Sequence, residues 1–139
     1  MQVTTIVDDT TTALSNLLDG IGEFTLVVYG EKESFDFENV KCIKTLKEPF
    51  RAAPRSNDMI LLKDILSIHE NPDMLLKLAY SSLANTADII IMEKKGVMDT
   101  EAIKQKLEDF EFRASNDIDI IDGYDLVMAK KMHMWGNGL

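Results

Sequence analysis

The sequence has few of the residues on which several common protein classes depend. It contains one cysteine, Cys42, in 139 residues, which excludes an internal disulfide framework. Two histidines beside one cysteine argue against a structural zinc site, which takes four Cys or His ligands. No apolar run approaches the roughly 20 residues of a membrane-spanning helix. The opening residues, MQVTTIVDD, lack the basic and apolar regions of a signal peptide. We therefore expect a cytoplasmic protein without a membrane partner.

Basic residues are also scarce relative to acidic ones. The chain has 24 Asp and Glu against 15 Lys and Arg, which gives a formal net charge of −9 at pH 7. Binding to a phosphate backbone depends on concentrated Lys and Arg, so this composition argues against a nucleic-acid partner. Residues 99–125 hold nine acidic and three basic residues. Such a segment is typical of a solvent-facing helix and hairpin.

Hydrophobic residues, by contrast, are plentiful at 45% of the chain. This length and composition predict a single domain over residues 1–139 with its own core. Short apolar runs of strand length recur along the chain and are rich in Val, Ile and Leu. They predict strands at residues 3–7, 24–29, 40–46, 58–62, 88–92, 118–121 and 124–129.

Helix signals separate several of these strands. Thr10, Thr11 and Thr12 are candidate caps for a first helix, which Gly20 and Gly22 should end. Two later helices have clearer starts. A second begins where an asparagine cap, Asn71, precedes a proline, and a third follows Asp99.

Strands separated by helices imply parallel crossover connections. The Asp122-Gly123 pair predicts a tight turn between the last two strands. The sequence therefore predicts an α/β fold, with a doubly wound, mainly parallel sheet and an antiparallel C-terminal strand.

This order of elements resembles the class I S-adenosylmethionine-dependent methyltransferases, whose seven-stranded sheet ends in an antiparallel hairpin. The resemblance is best over residues 39–131. The third strand and the stretch after it are similar to NVKCIKTLKEPF. The segment from the fourth strand through the fifth is similar to NDMILLKDILSIHENPDMLLKLAYSSLANTADIIIMEKKG. The resemblance implies a truncated Rossmann-like fold, S-adenosylmethionine as cofactor and an unidentified methyl acceptor. The alternative is a catalytically silent module of the same fold that acts through protein contacts.

In that family a glycine-rich turn follows the first strand and lets the backbone approach the cofactor. This chain has no glycine there. The resemblance implies that the residues in its place line the amino-acid part of the cofactor, with the acids near its ammonium. They are Asp8, Asp9, Thr10 and Thr11.

A second cofactor contact is implied after the next strand. Glu31 follows FTLVVYG, which ends at Gly30, and is placed like the acid that holds the ribose hydroxyls. An alternative register makes residues 24–29 the first strand, with Gly30 and Glu31 as a remnant of the glycine turn. We prefer the first register because it preserves the strand–helix–strand spacing. The next connection, EKESFDFEN, is too short for a full helix.

The fourth strand of the family leads to a loop beside the methyl donor, and here Lys63 would border the reacting methyl group. Asp64 could orient a nucleophile, and His69 could act as a general base. The alternative is that Asp64 merely begins a loop and that His69 is a surface residue. Of the two interpretations, we favour this alternative.

Two further features are the single cysteine and a cluster of Met and Trp side chains near the C-terminus. Cys42 lies within a predicted strand, and we expect it to be a buried structural thiol. Met132, Met134 and Trp135 cluster near the C-terminus, and such side chains are enriched in interface cores. They either pack on their own domain or form a homodimer contact.

Overall fold

The structure is a computed structural model that describes residues 1–30, 37 and 39–132. These residues form the following elements in chain order: β1 (Gln2–Thr4), α1 (Asp9–Leu18), β2 (Leu26–Tyr29), β3 (Val40–Ile43), β4 (Asn57–Lys63), α2 (Pro72–Ser82), β5 (Leu83–Lys94), α3 (Thr100–Asp109), β6 (Phe112–Ile118) and β7 (Tyr124–Lys131). None of the helices in this part of the chain is long and apolar enough to cross a membrane.

All the strands belong to one seven-stranded sheet with the order β3-β2-β1-β4-β5-β7-β6. The first five strands pair in parallel, whereas β7 is antiparallel to both β5 and β6. The predicted fold, a mainly parallel sheet with an antiparallel C-terminal strand, is confirmed. The preferred register is confirmed too, since β1 is a strand of the sheet and lies between β2 and β4.

Helices cover both faces of the sheet, as a doubly wound fold requires. On one face α2 and α3 bury Leu75, Leu76 and Leu107 against strand residues that include Val3 and Ile60. On the other face, Leu14 of α1 packs beside a smaller cluster built from Leu61, Met92 and Leu126. The larger core therefore lies under α2 and α3.

The three helices begin at side chains that accept hydrogen bonds from the first turn. Asn71 accepts from the Met74 N–H at 3.2 Å, and Asp99 accepts from the Glu101 and Ala102 N–H groups. Both predicted caps are confirmed. The first helix is capped by Asp8, whose carboxylate accepts from the Thr10 N–H at 3.0 Å. The threonine caps were therefore wrong: an upstream carboxylate interacts more favourably with the helix dipole.

The chain between α3 and β7 differs from the prediction. The penultimate strand, β6, begins at Phe112, which is fully buried, and the chain leaves it after Ile118. Its pairing with β7 is irregular between Arg113 and Asn116, and Ala114 has a φ of 57°. This irregularity interrupts the alternation of buried and exposed side chains by which a strand is recognised in a sequence. The sequence therefore predicts the penultimate strand at residues 118–121, whereas the structure has it at Phe112–Ile118.

Two further expectations are corrected at β5 and β3. β5 begins at Leu83, so residues 84–87, where the resemblance indicated a turn, belong to the strand. Cys42 is exposed rather than buried. β3 is an outermost strand of the sheet, and Lys41 beside the cysteine is exposed as well. An edge strand has a neighbour on one side only, so less of its surface is covered.

Candidate functional site

The carboxyl ends of β1 and β4 meet at the point where the strand order reverses. The chain runs from β1 outward to β2 and β3, then returns to β4 on the other side. In open α/β sheets this topological switch point forms a crevice in which ligands bind. Asp8 follows β1 here, and Lys63 is the last residue of β4.

A buried ammonium joins these two strand ends. Lys63 Nζ lies 2.7 Å from Asp8 Oδ2 and 2.5 Å from Asp64 Oδ2. The Lys63 side chain has no exposed surface, whereas the Asp8 side chain is 31% exposed. The ring of Tyr124, at the start of β7, has its centroid 5.3 Å from Lys63 Nζ. Three strand ends therefore contribute to one charged cluster.

The electrostatics of this cluster keep Lys63 charged. Burial disfavours the ammonium, but the hydrogen bonds and charges of Asp64 and Asp8 outweigh it, so the pKa of Lys63 is raised. One cation faces two carboxylates, and Asp8 is the member that solvent reaches. The cluster therefore has one more negative than positive charge, and it presents negative charge to solvent through Asp8.

The backbone of Asp64 directs its carboxylate back to Lys63. Asp64 has a φ of 54°, in the left-handed region that aspartate enters more readily than most residues. Its carbonyl accepts from the Thr5 hydroxyl at 2.7 Å, and its N–H donates to the Met92 carbonyl at 2.9 Å. These bonds to the chain after β1 and to β5 hold the conformation.

The remaining predicted cofactor residues differ in their exposure and in their hydrogen bonds. Asp9 is exposed in the first turn of α1, and Thr10 donates its N–H to Asp8. Thr11 is fully buried, and its hydroxyl has no hydrogen-bond partner among the described residues. Gly30 directly follows β2 with a φ of 144°, and its N–H donates to the Ile43 carbonyl. Glu31 lies outside the described residues.

His69 is buried and not on the surface. Its Nδ1 accepts from the Asn71 N–H at 2.8 Å, so the ring proton is on Nε2, which donates to the Glu48 carbonyl at 3.0 Å. Tyr29 donates its hydroxyl to the same carbonyl at 2.6 Å. Nδ1 thus holds the start of α2, and Nε2 holds the loop before β4. The role of His69 as a base stays a prediction.

Sequence reasoning missed two side chains at this edge of the sheet. Glu93, near the end of β5, is 2% exposed, and Tyr124 contacts the ammonium of Lys63. A signal for Glu93 was available. It stands two residues after Ile91 and four after Ile89, and in a strand such positions share a face. Both isoleucines are buried, so Glu93 belongs to the covered face.

No protein-family model and no curated protein matches the sequence, but solved structures are similar to it. An S-adenosylmethionine-dependent methyltransferase from Aquifex aeolicus aligns with a TM-score of 0.71 and 16% identity, over 92% of this chain and 79% of that one. The fold is that of a class I methyltransferase.

Two other structures agree with this class I fold. Human N-acetylserotonin methyltransferase, in complex with S-adenosylmethionine, aligns with a TM-score of 0.61 and 16% identity over 96% of this chain. The S-adenosylmethionine-dependent methyltransferase SibL aligns with a TM-score of 0.65 and 11% identity over 95%. The chain spans 47% of the human enzyme and 50% of SibL. The likeness establishes the fold.

Proposed function

We propose that this protein binds S-adenosylmethionine, or a related nucleoside, in the crevice at the carboxyl ends of β1, β2 and β4, as a methyltransferase-like protein. The observation that carries the proposal is the ion pair between Lys63 and Asp8 at the switch point. The amino-acid end of S-adenosylmethionine carries an ammonium and a carboxylate. The cluster has two carboxylates for one cation and exposes Asp8, so it is complementary to the ammonium.

The residues in this crevice fit the amino-acid end of the cofactor by charge. Asp8 is accessible and would accept from the ammonium, whereas the buried Lys63 would hold the Asp8 carboxylate in place. Thr10 and Thr11 replace the family's glycines, and their Cβ atoms restrict how closely a ligand can approach the backbone. The exposed carboxylate of Asp9, in the first turn of α1, adds negative charge next to Asp8 in the chain.

The ribose contact that we propose is Glu31. It follows Gly30, and β2 lies directly beside β1, so the end of β2 borders the crevice. A carboxylate can accept hydrogen bonds from two neighbouring hydroxyls. When bound, S-adenosylmethionine supplies a methyl group on a sulfonium centre.

On the acceptor side, Asp64 is the residue that we propose orients the nucleophile. Its side chain is 7% exposed, and its backbone is held by Thr5 and Met92. Methyl transfer to an activated nitrogen or oxygen depends mainly on proximity and in-line geometry, so a positioned acceptor is the main requirement.

Calorimetric titration with S-adenosylmethionine and S-adenosylhomocysteine tests the proposal. Asp8→Asn keeps a side chain that caps α1 but removes the charge, and we expect the affinity to fall at least tenfold. Asp99→Asn removes the charge of a helix cap outside the crevice and controls for the loss of a charged cap, with unchanged affinity expected. Glu31→Ala should weaken binding as well.

The outcome that contradicts the proposal is equally direct. Ligand that binds the native state raises its thermal stability by mass action. No heat and no thermal shift for the wild-type protein at millimolar ligand would exclude the cofactor site. Equal weakening by Asp8→Asn and Asp99→Asn would exclude Asp8 as the contact.

The second candidate is a module that acts through protein contacts, as a homodimer built on Met132, Met134 and Trp135. The observation that favours it is apolar surface: Met132 is 43% exposed, and Leu17 and Ile21 of the α1 region are more exposed still. Met134 and Trp135 lie outside the described residues. Sedimentation of the whole chain and of a chain ending at Lys131 tests this candidate, and a monomer in both cases contradicts it.

A further inference from the structure

A separate pocket lies at the carboxyl end of β5, on the face of the sheet that carries α2 and α3. Its volume is about 220 Å³. Its wall combines the loop after β4, the first turns of both helices and the end of β5. The lining residues include Leu66, Ser67, Glu93, Val97, Ala102 and Ile103.

Glu93 is the buried acid of this pocket. Its side chain accepts from the Ser67 hydroxyl at Oε1, over 2.6 Å, but Oε2 has no hydrogen-bond partner among the described residues. Burial of this carboxylate carries a desolvation penalty, which hydrogen bonds from the Ser67 hydroxyl and from the backbone of Ile65 and Ser67 offset only in part. Burial raises the pKa of Glu93, and the charge of the nearby Asp64 raises it further. A ligand with a positive donor would relieve both effects.

Two other charged residues, Asp99 and Lys106, also line the pocket. Asp99 is exposed and its Oδ1 accepts from two N–H groups at the start of α3, and Lys106 Nζ pairs with Asp73 at 2.7 Å. Glu93 Oε2 is therefore the buried acceptor for which the described residues supply no donor, in a wall that is mainly apolar. Within the described part of the chain, no group of three or more His, Cys, Asp or Glu side chains could hold a metal ion.

We propose that this pocket binds a small primary amine with an apolar body. The ammonium donates to Glu93 Oε2, and the body packs on Leu66, Val97 and Ile103. The ligand is smaller than most drugs, because pockets for drug-sized molecules enclose about 300–1,000 Å³. One aromatic ring or a short branched chain fits this volume. The amine binds whether or not the cofactor crevice is functional. A role of this amine as the methyl acceptor would rest on the proposed function.

An NMR titration of the whole chain with benzylamine, and with benzyl alcohol as its neutral counterpart, tests the site. Benzylamine should perturb the amides of Ser67, Val97 and Ala102 in a saturable manner, with an affinity at least tenfold higher than that of benzyl alcohol. Glu93→Gln should weaken benzylamine at least tenfold. Glu108→Gln, at an exposed acid of α3 outside the pocket lining, is the matched control and should leave the affinity unchanged.

A second variant tests the pocket without altering Glu93. Ala102→Phe places a ring into the space from α3 and should abolish binding of benzylamine. Equal affinity for amine and alcohol, unchanged affinity in Glu93→Gln, or perturbations confined to other surfaces would overturn the proposal. Benzylamine binding that persists in Asp8→Asn separates this site from the cofactor crevice, so each can fail without the other.

Discussion

The ammonium of Lys63 and the carboxylate of Asp8 are 2.7 Å apart, and they connect the end of β4 to the start of α1. The pairing of β1 with β4 makes this contact, since it brings the carboxyl ends of the two strands side by side. The same carboxylate caps α1 through the Thr10 N–H. Asp8 therefore has a structural and a proposed binding role, which substitutions can separate.

Lys63→Met removes the buried ammonium and leaves two carboxylates without their cation. We expect the free energy of unfolding to fall by about 3 kcal/mol, the usual cost of breaking a buried ion pair. Lys130→Met is the control, because Lys130 pairs with Asp88 on the surface, and it should cost under about 1 kcal/mol. Urea denaturation measures both. Similar losses in the two variants would mean that the Lys63 cluster contributes no more to stability than a surface ion pair.

Glu93→Gln should make the protein more stable at neutral pH. The pKa of Glu93 is higher in the folded protein than its ordinary value of 4.5, chiefly because of burial. Stability from this group is complete below that ordinary value and is lost as the pH rises through the folded pKa. Glutamine does not ionise and keeps an acceptor for Ser67.

Thermal denaturation at pH 7.5 and pH 4 checks this dependence. The Tm of Glu93→Gln should exceed that of the wild-type protein at pH 7.5, and the difference should shrink at pH 4. Glu108→Gln should show no such change, since Glu108 is exposed. A Glu93→Gln protein that is less stable at pH 7.5 would contradict the burial of an uncompensated carboxyl.

Tyr29→Phe should lower the free energy of unfolding by about 1 kcal/mol, the net contribution of one hydrogen bond. The lost bond is the one that the Tyr29 hydroxyl donates to the Glu48 carbonyl. Burial raises the pKa of this phenol to about 12, so the hydroxyl keeps its proton at neutral pH. His69→Leu loses two hydrogen bonds and should cost about 2 kcal/mol. Denaturation curves measure both.

Tyr80→Phe is the control for these two variants, since no hydrogen bond of its hydroxyl is found among the described residues. Its stability should stay within about 0.5 kcal/mol of the wild type. A His69→Leu protein of full stability would favour the alternative in which His69 serves the reaction rather than the loop.

Thr86→Gly should stabilise the protein. Thr86 has a φ of 71° in β5, a conformation that is strained for a β-branched residue by about 1–3 kcal/mol. Glycine removes the strain but loses up to about 1 kcal/mol in chain entropy, so a small net gain remains. Thr45→Gly, at an exposed position outside the left-handed region, should lower the Tm. Loss of stability in both would contradict the strain.

The helix starts and the type of sheet could be predicted because their signals are local. Asn71 before a proline and Asp99 before α3 act on backbone groups two or three residues away. Apolar runs of strand length alternating with helices lead to a mainly parallel sheet whatever the detailed packing. Where the alternation of buried and exposed residues is interrupted, as at Ala114 in β6, the predicted boundaries of the strand were wrong.

The candidate site depended on the tertiary structure. From the sequence, Asp8, Lys63 and Asp64 were separate members of a group implied by resemblance; the pairing of β1 with β4 joins them around one ammonium. His69 and Glu93 are polar residues whose burial is decided by the layers packed over them.

The sequence by itself determined the class of fold, the starts of α2 and α3 and the excess of negative charge, because each depends on composition or on neighbours along the chain. Only the tertiary structure decided which strand ends are adjacent, that Cys42 is exposed and that Glu93 keeps an unpaired oxygen beside a pocket. The physical reason is that burial and ion pairing depend on contacts between residues distant in sequence, which the order of the strands creates.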